Sequence, residues 1–121
     1  MSICRCNFDS SAIPFGNYFS QAKHIKELVA LGVQGYYGEG CPHPGIDMVE
    51  LKTYLAARTA FDPTQDTDAL ITEFTTGFYS AGAAPHIRKY MEVMAKSFTT
   101  ANSSLDYFGR PLTGDPSREY Y

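Results

Sequence analysis

No run of apolar residues in this chain approaches the 18 or so that a membrane helix needs, so a spanning helix is excluded on hydropathy. Cysteine is scarce and odd in number: Cys4, Cys6 and Cys41. That excludes the disulfide framework of small secreted domains and makes reduced thiols the expectation. Surplus basic charge is missing as well, with 10 Lys+Arg against 13 Asp+Glu and a formal net charge of -3. Nucleic-acid surfaces need clustered cations to displace phosphate counterions, so no nucleic-acid partner is expected. The sequence lacks a Gly-rich phosphate loop, a nucleophile elbow and a helix with paired histidines, which removes nucleotide and acyl-transfer chemistry. The first nine residues are too short and polar for a signal peptide, and no cofactor is expected.

What is present is an ordinary globular composition, 44% apolar and 19% charged over 121 residues. A chain this long forms one domain, and folding removes roughly two thirds of its surface from water. Ser2 to Phe8 is unbroken by Gly or Pro and is followed by the turn-rich Asp9-Ser10-Ser11, which predicts a strand. From Phe19 to Leu31, the residues Ala22, Ile25, Leu28 and Val29 recur at helical spacing, with Ser20 as N-cap and Gly32 as the stop. Val33 to Tyr37 predicts a second strand, which ends in the loop Gly38 to Gly45.

Three more helices follow. Asp47 with Glu50 reads as a cap and capping box ahead of the stripe Met48, Leu51, Tyr54 and Leu55, which runs to about Ala60. After Asp62-Pro63, a helix starts beyond Asp66 and carries Leu70, Ile71, Phe74 and Phe78 on one face. Pro85 suits the first turn of a last helix bearing Ile87, Tyr90, Met91, Met94 and Phe98, and residues 99–121 read as a polar tail. Strand, helix, strand is the pattern of a buried parallel pair in an α/β fold. Two strands do not make a stable sheet, so the chain reads as the end of a larger α/β domain, unless further copies complete it.

Several segments, taken in order, resemble the domain of unknown function 4838 family, bacterial proteins thought to be glycoside-hydrolase-like (β/α) barrels. The residues that carry the resemblance are Asn7-Phe8, Pro14-Phe15 with Asn17, Gly32-Val33-Gln34-Gly35, Glu50-Leu51, Tyr54-Leu55, Asp62-Pro63 with Asp66, Leu70-Ile71, and Glu73-Phe74. Gly77-Phe78-Tyr79 and Ala83-Ala84-Pro85 with Ile87 and Tyr90 complete it. The resemblance implies that residues 1–98 are the last two βα units of a TIM-like barrel followed by C-terminal helices, because a full barrel needs roughly 200 residues. It further implies a protein acting on or binding carbohydrate, with the remainder of the barrel or a homo-oligomer as partner and this chain alone inactive. In place of the family's acid followed by Gln and Gly, this chain has Gly38-Glu39-Gly40, with the acid one place later.

Under that resemblance, the carboxyl ends of the two strands form the site, and Glu39 is the candidate general acid, base or nucleophile for glycoside hydrolysis. Its other reading is a solvated loop residue between glycines. Strand alternation sets Ile3, Arg5 and Asn7 on one face, so Asn7 would bind a sugar hydroxyl, with Arg5 beneath it, or simply end the strand. Tyr37 would either stack on a sugar ring or fill the interior. His43, between Pro42 and Pro44, is a further substrate contact or a surface histidine. Cys4-x-Cys6 and Cys41-x-His43 nominally supply four zinc ligands, but pairs in zinc sites usually leave two or more residues between them, so no metal is expected. The remaining alternative is a non-catalytic helical module for protein contact.

Overall fold

The computed structural model describes residues 14, 16–38 and 45–100. Four helices account for most of them: α1 (Ser20–Ala30), α2 (Val49–Phe61), α3 (Thr67–Tyr79) and α4 (Ala84–Thr100). Each packs on the next in order, α1 on α2, α2 on α3 and α3 on α4. The first pair runs in the same direction, since Tyr18 at the start of α1 meets Lys52 at the start of α2 and Lys26 reaches the Gln65 carbonyl beyond the end of α2. Short connections then turn α3 and α4 back as helical hairpins.

The ends follow from local chemistry. Gly32, at φ +83°, closes α1 in a Schellman arrangement: the Val33 N–H donates to the Leu28 carbonyl at 3.0 Å and the Gly32 N–H to that of Val29 at 2.9 Å. Ser20 lies inside α1, and Phe19 takes the cap position without a side-chain bond. Asp62 ends α2 in extended backbone ahead of Pro63, the conformation a residue before proline favours. Asp66 caps α3 as expected, accepting from the N–H groups of Asp68 and Ala69 at 3.4 and 3.1 Å. Pro85 falls in the first turn of α4.

The expected capping box on α2 does not form. Met48 holds the cap position at φ 50°, ψ 37°, a left-handed conformation unusual for a side chain of this size, and no side chain caps the helix. Asp47 is drawn elsewhere, as described below. The core joins the inner faces of the helices and consists of Tyr18, Leu51, Leu55, Leu70, Ile71 and Met91. Full burial of each aliphatic side chain contributes about 1.5–3 kcal/mol.

The α/β expectation, and with it the end of a TIM-like barrel, is overturned, because the described residues form four helices and no strand. Val33 to Tyr36 is irregular and Tyr37 makes only an isolated bridge. The reason is visible in the segment itself: Gly35 sits in its middle, where it weakens a strand, and burial does not alternate, with Gln34, Gly35 and Tyr37 all exposed. The other predicted strand, Ser2 to Phe8, lies outside the described residues, as does the tail beyond residue 100.

Candidate functional site

Asp47 is the meeting point of four parts of the chain. Its carboxylate accepts a very short hydrogen bond from the Tyr18 hydroxyl, ahead of α1, and another at 3.0 Å from the Tyr90 hydroxyl of α4. From α2, Lys52 Nζ approaches Asp47 Oδ2 at 3.5 Å and lies 5.0 Å from the centre of the Tyr18 ring. The side chain of Lys52 is fully buried and that of Asp47 is 10% exposed. Helical periodicity places Lys52 there, four residues after Met48 and four before the buried Ala56, within the stripe that faces the core.

Burial governs the protonation of this cluster. It pulls the Lys52 ammonium down to about 8, while the Asp47 carboxylate beside it works in the opposite direction. Burial, and then the hydrogen bond to Asp47, pushes the Tyr18 hydroxyl far above the ordinary tyrosine range. Tyr90 is raised as well, first by burial, although its neighbour Tyr18 opposes the shift. At neutral pH Lys52 is therefore cationic and the two hydroxyls are neutral. Such a set ties elements together, running from Tyr18 and Lys52 at 0% exposure out to Tyr90 at 37%.

What it ties down is the end of the loop that contains Glu39. Gly45, at φ +83°, and Met48 bracket Ile46 and Asp47, and Ile46 is buried at 7% exposure. The chain therefore leaves the Gly38 to Gly45 loop through an apolar anchor followed at once by a polar one. At the loop's other end Tyr37 is 69% exposed, so it does not fill a core. Beside it, a cleft of about 260 Å³ lies between α1 and residues 33–36, lined by Ile25, Val29, Gln34, Tyr36 and Ala60 among others.

Of the residues proposed from sequence, Tyr37 alone is among those described. Glu39, Asn7, Arg5 and His43 lie outside them, as do Cys4, Cys6 and Cys41. Among the described residues, no three His, Cys, Asp or Glu side chains gather to hold a metal ion. No helix there is long and apolar enough to cross a membrane. Sequence reasoning missed the Asp47 cluster because it took Asp47 for a helix cap and Tyr90 for core. The available signal was Lys52, a cation placed on the apolar stripe of α2.

A second polar set is buried as well. Gln21 on α1 is 1% exposed, and among the described residues neither its amide oxygen nor its amide nitrogen has a hydrogen-bond partner. Asn17 Oδ1 and the Thr59 hydroxyl on α2 are in the same condition.

No curated protein and no solved structure matches the chain significantly. One family model does, over residues 4–92, which is most of the chain. That span takes in the Glu39 loop, the Asp47 cluster and helices α1 to α3, and the chain belongs to the family described as Domain of unknown function (DUF4838).

Proposed function

We propose that the protein binds or acts on carbohydrate in the manner of a glycoside hydrolase, with Glu39 as acid, base or nucleophile. Tyr37 stacks on a sugar ring, and Asn7, Arg5 and His43 bind its hydroxyls. The observation that carries this reading is Tyr37: a large aromatic side chain left 69% exposed where the chain enters the Glu39 loop. An aromatic face in water gains by covering the apolar face of a pyranose. Glycoside hydrolysis rewards placement, because its two carboxyl groups act at set separations across the bond.

The test is binding and turnover of a panel of neutral oligosaccharides. Glu39→Gln is expected to keep affinity and lower turnover by about 100-fold, the scale of losing a positioned acid or base. Tyr37→Ala is expected to lose about tenfold in affinity, equivalent to roughly 1.4 kcal/mol. A panel that shows neither binding nor turnover removes the reading.

The second reading, a non-catalytic helical module for protein contact, is favoured by Phe61 and Leu31, which are 91% and 80% exposed at the ends of α2 and α1. They stand one and two residues from the cleft-lining Ala60 and Val29. Under that reading Phe61→Ser abolishes capture of a protein partner and leaves sugar affinity unchanged.

A further inference from the structure

The Asp47 cluster sits at the point where the Glu39 loop rejoins the helices, and it contains both a strained backbone and a buried ion pair. Met48 is held in left-handed backbone, a conformation unfavourable for a residue with a side chain. Gly45 adopts a positive φ three residues earlier, so the two positions bracket a short segment that has conformational freedom at one end and stored strain at the other. Among the described residues the segment is held by the buried Ile46 side chain, by the Asp47 carboxylate and, at its end, by the packing of Met48 on the core and the Lys52 N–H bond to its carbonyl at 3.0 Å. Strain of this kind persists only while the surrounding contacts over-determine it.

We propose that the Asp47–Lys52 pair is a proton-operated latch: with Lys52 protonated, the end of the Glu39 loop is held against α1, α2 and α4, and loss of that proton lets residues 45–48 move away. The physical reason is the charge balance of the cluster. Asp47 is nearly buried, and an ammonium group stands 3.5 Å from its carboxylate. Once Lys52 is neutral, the two tyrosine hydroxyls still donate, but no cation offsets a carboxylate removed from water. The carboxylate then gains by turning outward, and the strain at Met48 is relieved in the same movement.

Among the described residues, the named groups around the pair do not supply a substitute charge. Tyr18, ahead of α1, and Tyr90, from α4, face Asp47, and burial raises both hydroxyls above the ordinary tyrosine value, Tyr18 far above it. From α3, Tyr79 feels both Asp47 and Glu50, and burial keeps it protonated too. Glu50, in the first turn of α2, is exposed and of the wrong sign. Arg88, on α4, is committed to Asp68 and Glu92 at 2.8 and 3.1 Å. The change of charge therefore belongs to Lys52, whose buried ammonium gives up its proton at about 8.

The experiment is a methyl NMR titration of the whole chain between pH 6 and 9.5, because methyl signals, unlike amides, do not exchange with water. The Ile46 and Met48 methyls are expected to shift together with a midpoint near 8, while the core methyls of Leu55 and Ile71 stay in place. Lys52→Met, which has no proton to lose, is expected to show the released positions at every pH. Lys52→Arg, always charged, is expected to show the held positions throughout. If one variant does not fold, the other decides. Ile46 and Met48 methyls that do not move in the wild type overturn the latch, as does a titration that survives in either variant. No sugar is involved, so failure here is distinct from failure of the carbohydrate reading.

Discussion

The Asp47 cluster and the trio Asn17, Gln21 and Thr59 both bury polar atoms beside α1 and α2, yet only in the first do those atoms meet partners among the described residues. In the cluster, each polar group meets an opposite charge or a hydroxyl, and its four members come from four parts of the chain. In the trio, four buried polar atoms find no partner among the described residues. A closed set is costly to break and cheap to keep, whereas an open set is a standing cost that apolar substitution relieves. The two regions should therefore respond to mutation with opposite signs.

The largest effect belongs to Asp47→Ala, which leaves the Lys52 ammonium buried without its carboxylate. We expect a loss of about 3–5 kcal/mol by urea unfolding, and a loss below about 1 kcal/mol would mean that the cluster is not closed in solution. Leu55→Ala, one turn along in the dry core, is expected to cost about 3 kcal/mol. In the open trio, Gln21→Leu is expected to stabilise by about 1–2 kcal/mol, since it removes two unsatisfied atoms and keeps the volume. A destabilising result there would show that Gln21 is hydrogen-bonded after all.

Stability against pH sharpens the same contrast. The folded state releases the Lys52 proton at about 8, while the unfolded chain holds it to the ordinary 10.5. Between those values the unfolded state binds more protons, so stability rises with pH by up to roughly 1.4 kcal/mol per pH unit. Above about 10 the gain is opposed, because unfolded Tyr18 ionises there while folded Tyr18 does not. The rise is compatible with an opening latch, since it compares folded with unfolded chains and the latch compares two folded forms. Urea midpoints at pH 7.5, 8.5 and 9.5 should climb in the wild type and stay flat in Lys52→Met. The smallest effect is expected at Ser80, whose φ of +95° suits glycine: Ser80→Gly should stabilise by no more than about 1 kcal/mol, read from the same curves.

The difference between the two regions also marks how far the sequence could be read. Helical periodicity located α2, α3 and α4 to within a residue or two, because each has a single apolar stripe and strong punctuation at Asp62-Pro63 and Pro85. Asp66 behaves as its sequence suggests, since nothing nearby competes for its carboxylate. Asp47 has the same local pattern but a different fate. Tyr18 and Tyr90, 29 and 43 residues away, reach it first, and no local spacing reveals partners that distant. Val33 to Tyr37 failed for a related reason. Strand propensity is fulfilled only by a neighbouring strand, and one interrupted by Gly35 fulfils it least. Of the candidate sugar site, Tyr37 was legible as an aromatic beside the loop, while its exposure depended on the strand not forming.

The claim on which the account rests is that Asp47 and Lys52 act as one buried unit, and a double-mutant cycle measures that directly. Urea unfolding of Asp47→Asn, Lys52→Met and the double variant at pH 7 should give a coupling of about 2–3 kcal/mol, with the double variant close to wild type because both charges leave together. Single effects that add to within about 0.5 kcal/mol would contradict it: the two groups would then be neighbours without being partners.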